Sequence, residues 1–283
     1  MHAEQLTPAV TEHGEGPTWD ARSQSLLYVD LLRGDVLTLD GGANDLPVRR
    51  NVGDVVACVR ARALGGIVAA TRNSIVEFDD RSELPVRQTV VFDDPEVRFN
   101  EGACDPDGNF YCGTMDWEGR TGLGRMYRYT PGGVAGVVGN ALTVPNGLAF
   151  RADRGAWFVD SADRRIDRVE LRDDGGFVRT GFVTIPTEHG TPDGLCLDSE
   201  GGVWVAMWGG SAVRRYDTAG RLDFVVCLPV AQVTACTFGG PDLATMFITT
   251  SRYRNADPEP SAGAVFSADT GFHGQPDYSY GKG

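Results

Sequence analysis

Lysine is almost missing from this sequence. The chain has 283 residues, and its single lysine is Lys282, one position from the C-terminus, where chain ends commonly fray. Schiff-base enzymes, pyridoxal phosphate enzymes and P-loop nucleotide hydrolases each need a lysine held at a defined place. These three classes are therefore excluded.

Long apolar runs and paired metal-binding cysteines are missing as well. No stretch of about 18 apolar residues occurs, and the first ten residues lack the apolar core of a secretory signal. The six cysteines are scattered without a CxxC pair, which gives no support to a zinc ribbon or a thioredoxin-like site. We expect a cytoplasmic protein with reduced, mostly buried thiols and no membrane partner.

Positive charge is scarce. Asp and Glu number 39 against 26 Lys and Arg, a formal net charge of −13. Such a balance repels phosphate backbones and anionic membrane surfaces. Nucleic acid is therefore an unsuitable partner for this chain.

Glycine, in contrast, is abundant, and it marks an internal repeat. The chain has 37 glycines, roughly 13% of its residues and about twice the usual share. Each repeat unit has an acidic or amide residue before glycine, a short apolar strand, an Asp/Gly turn and an aromatic-rich strand. Three clear copies begin at Asn100, Asn146 and Asp193, and a fourth begins at Glu15. Two degenerate copies, beginning at Val56 and Thr234, bring the number to six.

A period of about 40 to 50 residues with about four short strands per copy is typical of a β-propeller. The sequence therefore predicts an all-β fold, a single six-bladed β-propeller domain over residues 1–283 with four-stranded antiparallel blades around a central channel. A sandwich or jelly roll with accidental similarity is the alternative. Asp105-Pro-Asp-Gly and Asp198-Ser-Glu-Gly look like calcium loops, but their place in the repeat predicts hairpin turns. We expect the ring to close by sharing strands between the two chain ends.

The opening residues of the copies are the candidate metal ligands. The first strand of each propeller blade lines the channel, so residues at one register lie at nearly the same height around the axis. Glu15, Asn146 and Asp193 share this register, and Glu101, preceded by Asn100, occupies the matching place in its own copy. Such oxygens suit Ca²⁺, Mg²⁺ or Mn²⁺. The alternative is that these side chains only cap strand ends through bonds to nearby backbone.

Five segments together resemble the senescence marker protein 30/gluconolactonase family. The resemblance covers roughly residues 10 to 270, and the order and spacing of the segments are specific. The segments are His13-Gly-Glu-Gly-Pro-Thr-Trp, Arg98-Phe-Asn-Glu-Gly-Ala-Cys-Asp-Pro-Asp-Gly, Cys112-Gly-Thr-Met, Pro145-Asn-Gly-Leu-Ala and Pro192-Asp-Gly-Leu-Cys.

The resemblance implies a sugar lactonase with one catalytic divalent ion, in which Ca²⁺, Zn²⁺, Mn²⁺, Mg²⁺ and Fe²⁺ are all candidates. The family's ligand positions fall on Glu15, Asn146 and Asp193, and Asp193 is also the implied general base. The implied substrate contacts are three residues, Arg98, Asn100 and Glu118. The family usually has Asp where this chain has Glu101, and the longer side chain leaves its role near the ion open.

Several further features keep alternatives open. A non-catalytic propeller that binds a metal only for stability is one, and a metal-dependent esterase or phosphoesterase on the same fold is another. Trp117 and Trp208 are expected either to line the sugar pocket or to pack between blades. His13 and His189 are close in sequence to ligand candidates, and an ordinary loop position is the simpler interpretation for both.

Overall fold

The structure is a computed structural model that describes residues 1–40, 46–80, 82–172 and 176–282. These residues form 24 strands in six four-stranded antiparallel sheets. Strand β1 is Glu4–Gln5. The first blade contains β2 (Gly14–Asp20), β3 (Ser25–Asp30), β4 (Asp35–Leu39) and β5 (Val48–Asn51). The second contains β6 (Val56–Ala61), β7 (Ile67–Thr71), β8 (Ser74–Phe78) and β9 (Arg87–Val90).

The remaining four blades repeat this order. The third contains β10 (Val97–Cys104), β11 (Phe110–Asp116), β12 (Gly124–Tyr129) and β13 (Ala135–Leu142). The fourth contains β14 (Pro145–Phe150), β15 (Ala156–Asp160), β16 (Arg165–Leu171) and β17 (Phe177–Thr184). The fifth contains β18 (Thr191–Leu197), β19 (Val203–Trp208), β20 (Ala212–Tyr216) and β21 (Leu222–Cys227). The sixth contains β22 (Val233–Gly239), β23 (Thr245–Thr250) and β24 (Val265–Asp269).

The six-bladed β-propeller is confirmed. Every blade starts at the predicted copy of the repeat, and its innermost strand packs against the innermost strands of the two neighbouring blades. Each inner strand is buried on both faces, whereas an outer strand such as β5 is mostly exposed. Three short 3-10 helices, at Leu31–Arg33, Ser161–Asp163 and Thr187–His189, complete the described regular structure. None of these is long or apolar enough to cross a membrane.

The chain ends meet in the sixth blade. Strand β1 pairs with β24 in antiparallel register, with Glu4 opposite Ser267 and Gln5 opposite Phe266. The predicted closure by strand sharing is therefore confirmed. It ties the first residues of the chain to the last strand, so the ring has no open seam at this blade.

The hairpin-turn interpretation of the Asp/Gly segments is also confirmed. Asp105 Oδ1 accepts hydrogen bonds from the backbone N–H of Asp107 and Asn109, at 2.9 and 2.8 Å. Asp198 Oδ1 accepts from the backbone N–H of Glu200 and Gly202, at 3.0 and 2.7 Å. Each carboxylate thus holds its own turn together at the channel end where the inner strands finish.

All six inner strands contain a bulge at the same height. The pairing register shifts between Glu15 and Thr18 in β2, and at the matching place in the other five inner strands. A bulge leaves residues unpaired and re-aims their side chains. Glu101, Asn146 and Asp193 lie within these bulges, and Glu15 borders its own, so the predicted register positions coincide with the irregular part of each strand.

The C-terminal tail, residues 270–282, closes the channel end where the inner strands finish. The backbone N–H of Gln275 donates to Leu197 O at 3.0 Å, and that of Tyr280 donates to Ala61 O at 2.8 Å. These bonds attach the tail to the fifth and second blades. Behind the tail lies a small cavity of about 40 Å³.

Candidate active site

The candidate site lies at the channel end where the inner strands begin, which we call the mouth. Loops 117–123, 161–164, 209–211 and 251–264 follow the second strands of the third to sixth blades and border this end. The bulges place the predicted side chains below these loops. The site is therefore assembled from different blades, and the third blade contributes the most residues.

Asn146 is held in a fixed orientation. Its amide Nδ2 donates to Ser161 Oγ at 3.1 Å, and the Ser161 hydroxyl donates to Pro192 O at 2.7 Å. With the NH₂ group bound on this side, the amide oxygen Oδ1 points away from the serine. Asn146 Oδ1 is buried and has no hydrogen-bond partner. A buried polar atom without a partner is costly, and this one is free to bind a cation.

Asp193 has a similar unpaired oxygen. Its Oδ1 is buried without a hydrogen-bond partner, and only 5% of the residue is exposed. Burial raises the pKa of this carboxyl well above its ordinary value, and the nearby Glu15 and Glu101 carboxylates raise it further. The predicted ligands from the first and fifth blades are therefore within electrostatic reach of each other.

Glu15 completes the predicted set. Its Oε2 accepts a hydrogen bond from the backbone N–H of Gly16 at 3.2 Å. Burial, followed by repulsion from Glu101, raises the pKa of Glu15 to about 8. Like charges so close together in a buried space favour either protonation or a bound cation.

His13 lies beside Glu15, so its interpretation as an ordinary loop histidine is wrong. The residue is buried, its Nδ1 lies 2.7 Å from Ser251 Oγ, and its Nε2 lies 3.8 Å from Glu15 Oε1. Burial and the positive charge of Arg98 lower the pKa of His13 to about 3. The imidazole is therefore neutral near pH 7. Its spacing from Glu15, two residues along an extended chain, is the signal that places both side chains on one face.

The Glu101 carboxylate forms a salt bridge with the Arg60 guanidinium. Its Oε1 accepts from the backbone N–H of Gly102 at 2.8 Å and from Arg60 Nη2 at 3.3 Å. Both members of the pair are buried. The question that the sequence leaves open about Glu101 thus has a structural answer, since its carboxylate is paired with Arg60 of the second blade.

Arg98 and Asn100 form one unit just above the carboxylates. Arg98 Nη1 donates to Asn100 Oδ1 at 2.7 Å and to Phe99 O at 2.9 Å, and Asn100 Nδ2 donates to Pro145 O at 2.9 Å. Arg98 Nε is buried and has no partner. Burial lowers the pKa of Arg98 to about 10, so the guanidinium is charged near pH 7.

Glu118 lies at the rim of the mouth. Its side chain is 72% exposed, and its Oε1 lies 3.5 Å from Arg254 Nη2. Both tryptophans of the sequence analysis also lie here: Trp117 is 5.3 Å from the Arg98 guanidinium, and Trp208 is 5.8 Å from the His13 ring. An aromatic rim next to arginine and carboxylate groups is typical of sites that bind polyhydroxylated ligands.

The donor set fits a hard divalent cation. Among the described residues, no group of three or more His, Cys, Asp or Glu side chains is arranged to hold a metal ion. The candidate set instead has two carboxylates and one amide, Glu15, Asp193 and Asn146. Two of these three residues have a buried, unpaired oxygen. All three supply oxygen donors, which suit Ca²⁺, Mg²⁺ or Mn²⁺.

Sequence reasoning missed three residues of this site: His13, Arg60 and Ser161. Ser161 follows the second strand of its blade, and Arg60 belongs to a degenerate copy of the repeat. No motif connects either residue with its partner. Of the three residues, only His13 had a signal in the sequence, which is its spacing of two positions from Glu15.

Comparison with known proteins shows similarity over almost the whole chain. Residues 13–252 match the family model described as SMP-30/gluconolactonase/LRE-like region. The chain is 31% identical to pentonolactonase XacC of Haloferax volcanii, with 94% of this chain and 93% of that protein covered. It is 33% identical to regucalcin of Danio rerio, with 95% of each covered.

Solved structures with the same fold also match almost the whole chain. A crystal structure of regucalcin from Agrobacterium tumefaciens, described as a calcium-binding protein, superposes with a TM-score of 0.89 at 25% identity and covers 98% of this chain and 97% of that one. Luciferin-regenerating enzyme superposes with a TM-score of 0.85 at 24% identity, with 96% of each chain covered. Because its identity is only 24%, the similarity to luciferin-regenerating enzyme supports the fold alone.

Proposed function

Because this chain belongs to the SMP-30/gluconolactonase/LRE-like family, we propose that it hydrolyses a sugar lactone to the corresponding aldonic acid. One divalent cation, held by Glu15, Asn146 and Asp193, takes part. The observation that carries this proposal is the pair of buried, unpaired oxygens of Asn146 and Asp193. The name of the Haloferax volcanii relative, a pentonolactonase, supports an aldonolactone as the substrate class.

The reaction adds water to the carbonyl carbon of a cyclic ester and breaks the bond between that carbon and the ring oxygen. A bound divalent cation supplies Lewis acidity, which stabilises the negative charge that develops on the carbonyl oxygen. The Asp193 carboxylate, buried at the site, accepts a proton from the attacking water. The same carboxyl then returns this proton to the ring oxygen, which leaves as the new hydroxyl group of the aldonic acid.

Three residues around the mouth hold the sugar in this proposal. The Arg98–Asn100 unit is rigid because both side chains are buried and bound to backbone carbonyls, and Arg98 Nε has no partner in the protein. The Arg98 Nε–H is the group that donates to a hydroxyl group of the ligand in this proposal. Glu118 approaches from the rim, where its exposed carboxylate can accept a hydrogen bond from the sugar. Fixed polar groups of this kind orient a substrate and discriminate among its analogues.

The test removes and restores the cation. Protein stripped with a chelator is resupplied separately with Mn²⁺, Ca²⁺, Zn²⁺, Mg²⁺ or Fe²⁺, and acid release from a panel of pentono- and hexonolactones is followed. We expect turnover to vanish on stripping and to return with at least one ion. A stability-only metal site would give a higher melting temperature on resupply without turnover above spontaneous ring opening.

Asp193→Asn makes the role of that carboxylate testable. We expect kcat to fall by about 10²- to 10⁴-fold, the usual contribution of a positioned general base, while circular dichroism shows a retained fold. The matched control is Asp217→Asn, an aspartate in an exposed turn of the same blade, which should leave kcat unchanged. Full turnover in Asp193→Asn would remove this residue from the mechanism.

A further inference from the structure

A second buried arginine besides Arg98 lies directly below the candidate ligands, namely Arg60. Arg60 is the last residue but one of β6, the inner strand of the second blade, and is 8% exposed. Its Nη2 donates to Glu101 Oε1 at 3.3 Å, and its Nη1 donates to Val59 O at 2.7 Å and to Gly16 O at 3.4 Å. The last of these bonds connects Arg60 with the glycine that follows Glu15. Arg60 therefore contacts two of the strands that form the site.

The tail encloses Arg60 from the other end of the channel. Asp277 accepts a hydrogen bond from Thr18 Oγ1 at 2.6 Å, and its charge acts on both Arg60 and Glu101. Asp277 is exposed to solvent, where water screens its charge. Glu101, at 5% exposure, is not screened in this way. The strong partner of Arg60 is consequently Glu101.

The carboxylates of the site fall into two groups. Three buried carboxylates interact electrostatically, those of Glu15, Glu101 and Asp193. Arg60 pairs with Glu101, whereas no salt bridge to arginine is formed by Glu15 or Asp193 among the described residues. Glu15 and Asp193 are therefore the two carboxylates left to bind a cation. Without Arg60, the same space would contain three carboxylates with Glu101 free to turn towards the cation.

We infer that Arg60 is a positioning residue that pairs with Glu101 and keeps that carboxylate out of the cation's ligand set. This inference rests on the proposed function, because it takes Glu15, Asn146 and Asp193 as the ligands. It predicts opposite effects for the two members of the pair. Removing Arg60 releases a carboxylate and strengthens cation binding, whereas removing the charge of Glu101 leaves an unpaired guanidinium and weakens it.

The experiment measures Mn²⁺ binding by electron paramagnetic resonance, without any lactone, for four proteins. These are the wild type, Arg60→Met, Glu101→Gln and the double variant Arg60→Met/Glu101→Gln. We expect the Kd for Mn²⁺ to fall on the order of tenfold in Arg60→Met and to rise on the order of tenfold in Glu101→Gln, as the Coulomb energy of one nearby charge implies. The double variant should bind within about threefold of the wild type, because its pair is again neutral.

A matched control separates this effect from general damage. Arg215 and Asp198 form another buried pair, with Arg215 Nε 2.6 Å from Asp198 Oδ2, at the opposite end of the channel. Removing one member of a buried pair destabilises a protein. Arg215→Met should therefore lower the melting temperature of the metal-free protein but leave its Kd for Mn²⁺ unchanged.

The possible outcomes are distinct. Shifts of the Kd in the same direction for both single variants, or no shift in Glu101→Gln, overturn the role of Arg60 and leave the proposed function standing. No Mn²⁺ binding by the wild type overturns the metal site and this inference together. Should Arg60→Met not fold, Glu101→Gln and the double variant still decide, since the inference requires weakened binding in the first and its recovery in the second.

Discussion

Glu118 and Arg254 form an ion pair across the mouth of the channel, with Glu118 Oε1 3.5 Å from Arg254 Nη2. Glu118 follows β11 in the third blade, and Arg254 follows β23 in the sixth. These blades face each other in a ring of six, so the pair spans the opening. Arg254 also acts electrostatically on Arg98 below it. A ligand that enters the channel passes this pair.

Arg254→Gln should weaken substrate binding with little effect on the chemical step. Without its partner, the Glu118 carboxylate loses its fixed place at the rim. We expect KM for the best aldonolactone to rise on the order of fivefold, since an exposed ion pair contributes up to about 1 kcal/mol, and kcat to stay within about twofold. Arg22→Gln, which breaks an exposed pair with Asp80, is the control. An unchanged KM in Arg254→Gln would mean that Glu118 does not need Arg254.

Ser161→Ala should impair cation binding through Asn146. The serine hydroxyl accepts from Asn146 Nδ2 and donates to Pro192 O, so it determines which way the amide oxygen points. Removing a group that orients a ligand typically costs about 10- to 100-fold in metal affinity. The Kd for Mn²⁺ should rise within this range. Ser23→Ala, which removes a hydroxyl from a turn near Asp20, should leave the Kd unchanged, and equal Kd values for both variants would contradict the orienting role.

Tyr280→Phe should lower stability but not turnover. Tyr280 is buried at the end of the tail, and its hydroxyl lies 2.9 Å from Thr130 O and 3.2 Å from Glu77 Oε1. Leaving these buried acceptors with one donor fewer costs about 1–3 kcal/mol. Urea unfolding should show a reduction of this size in the free energy of unfolding. Tyr278→Phe, in the same tail but not among the donors to Glu77, should change it by less than about 0.5 kcal/mol.

Thiol chemistry should distinguish one cysteine from the other five. Cys227 is partly exposed, and the buried cysteines are Cys58, Cys104, Cys112, Cys196 and Cys236. Burial raises the pKa of the Cys112 and Cys196 thiols well above the ordinary value, which suppresses the reactive thiolate. Ellman's reagent should therefore modify one thiol rapidly in the folded protein and all six in denaturant.

Cys227→Ser is the control for that assignment, because it should abolish the rapid phase. Rapid reaction of two or more thiols in the folded protein would show that the ring opens and exposes its interior. The Sγ atoms of Cys58 and Cys112 lie 3.7 Å apart, and those of Cys196 and Cys236 lie 3.6 Å apart. The pairs are in contact as free thiols.

The repeat in the sequence was enough to predict the propeller and the height of the candidate ligands. A unit that cannot bury its apolar strands alone must stack with copies of itself, and equal positions in stacked copies then converge on the axis. Asn146 and Asp193 illustrate this, since each lies in the bulge of its inner strand with a buried unpaired oxygen. Their convergence follows from the periodicity of the chain and needs no detail of packing.

The tertiary structure alone decided what surrounds those residues. Arg60 and Glu101 are 41 positions apart, in a degenerate copy and a clear one, and their contact depends on how two neighbouring blades pack. His13 and Ser161 are likewise placed by partners from other strands. Repetition in a sequence specifies where the backbone of each copy goes, because strand pattern and turns are local. Side-chain pairing between copies depends on distances across the ring, which exist only once it has closed.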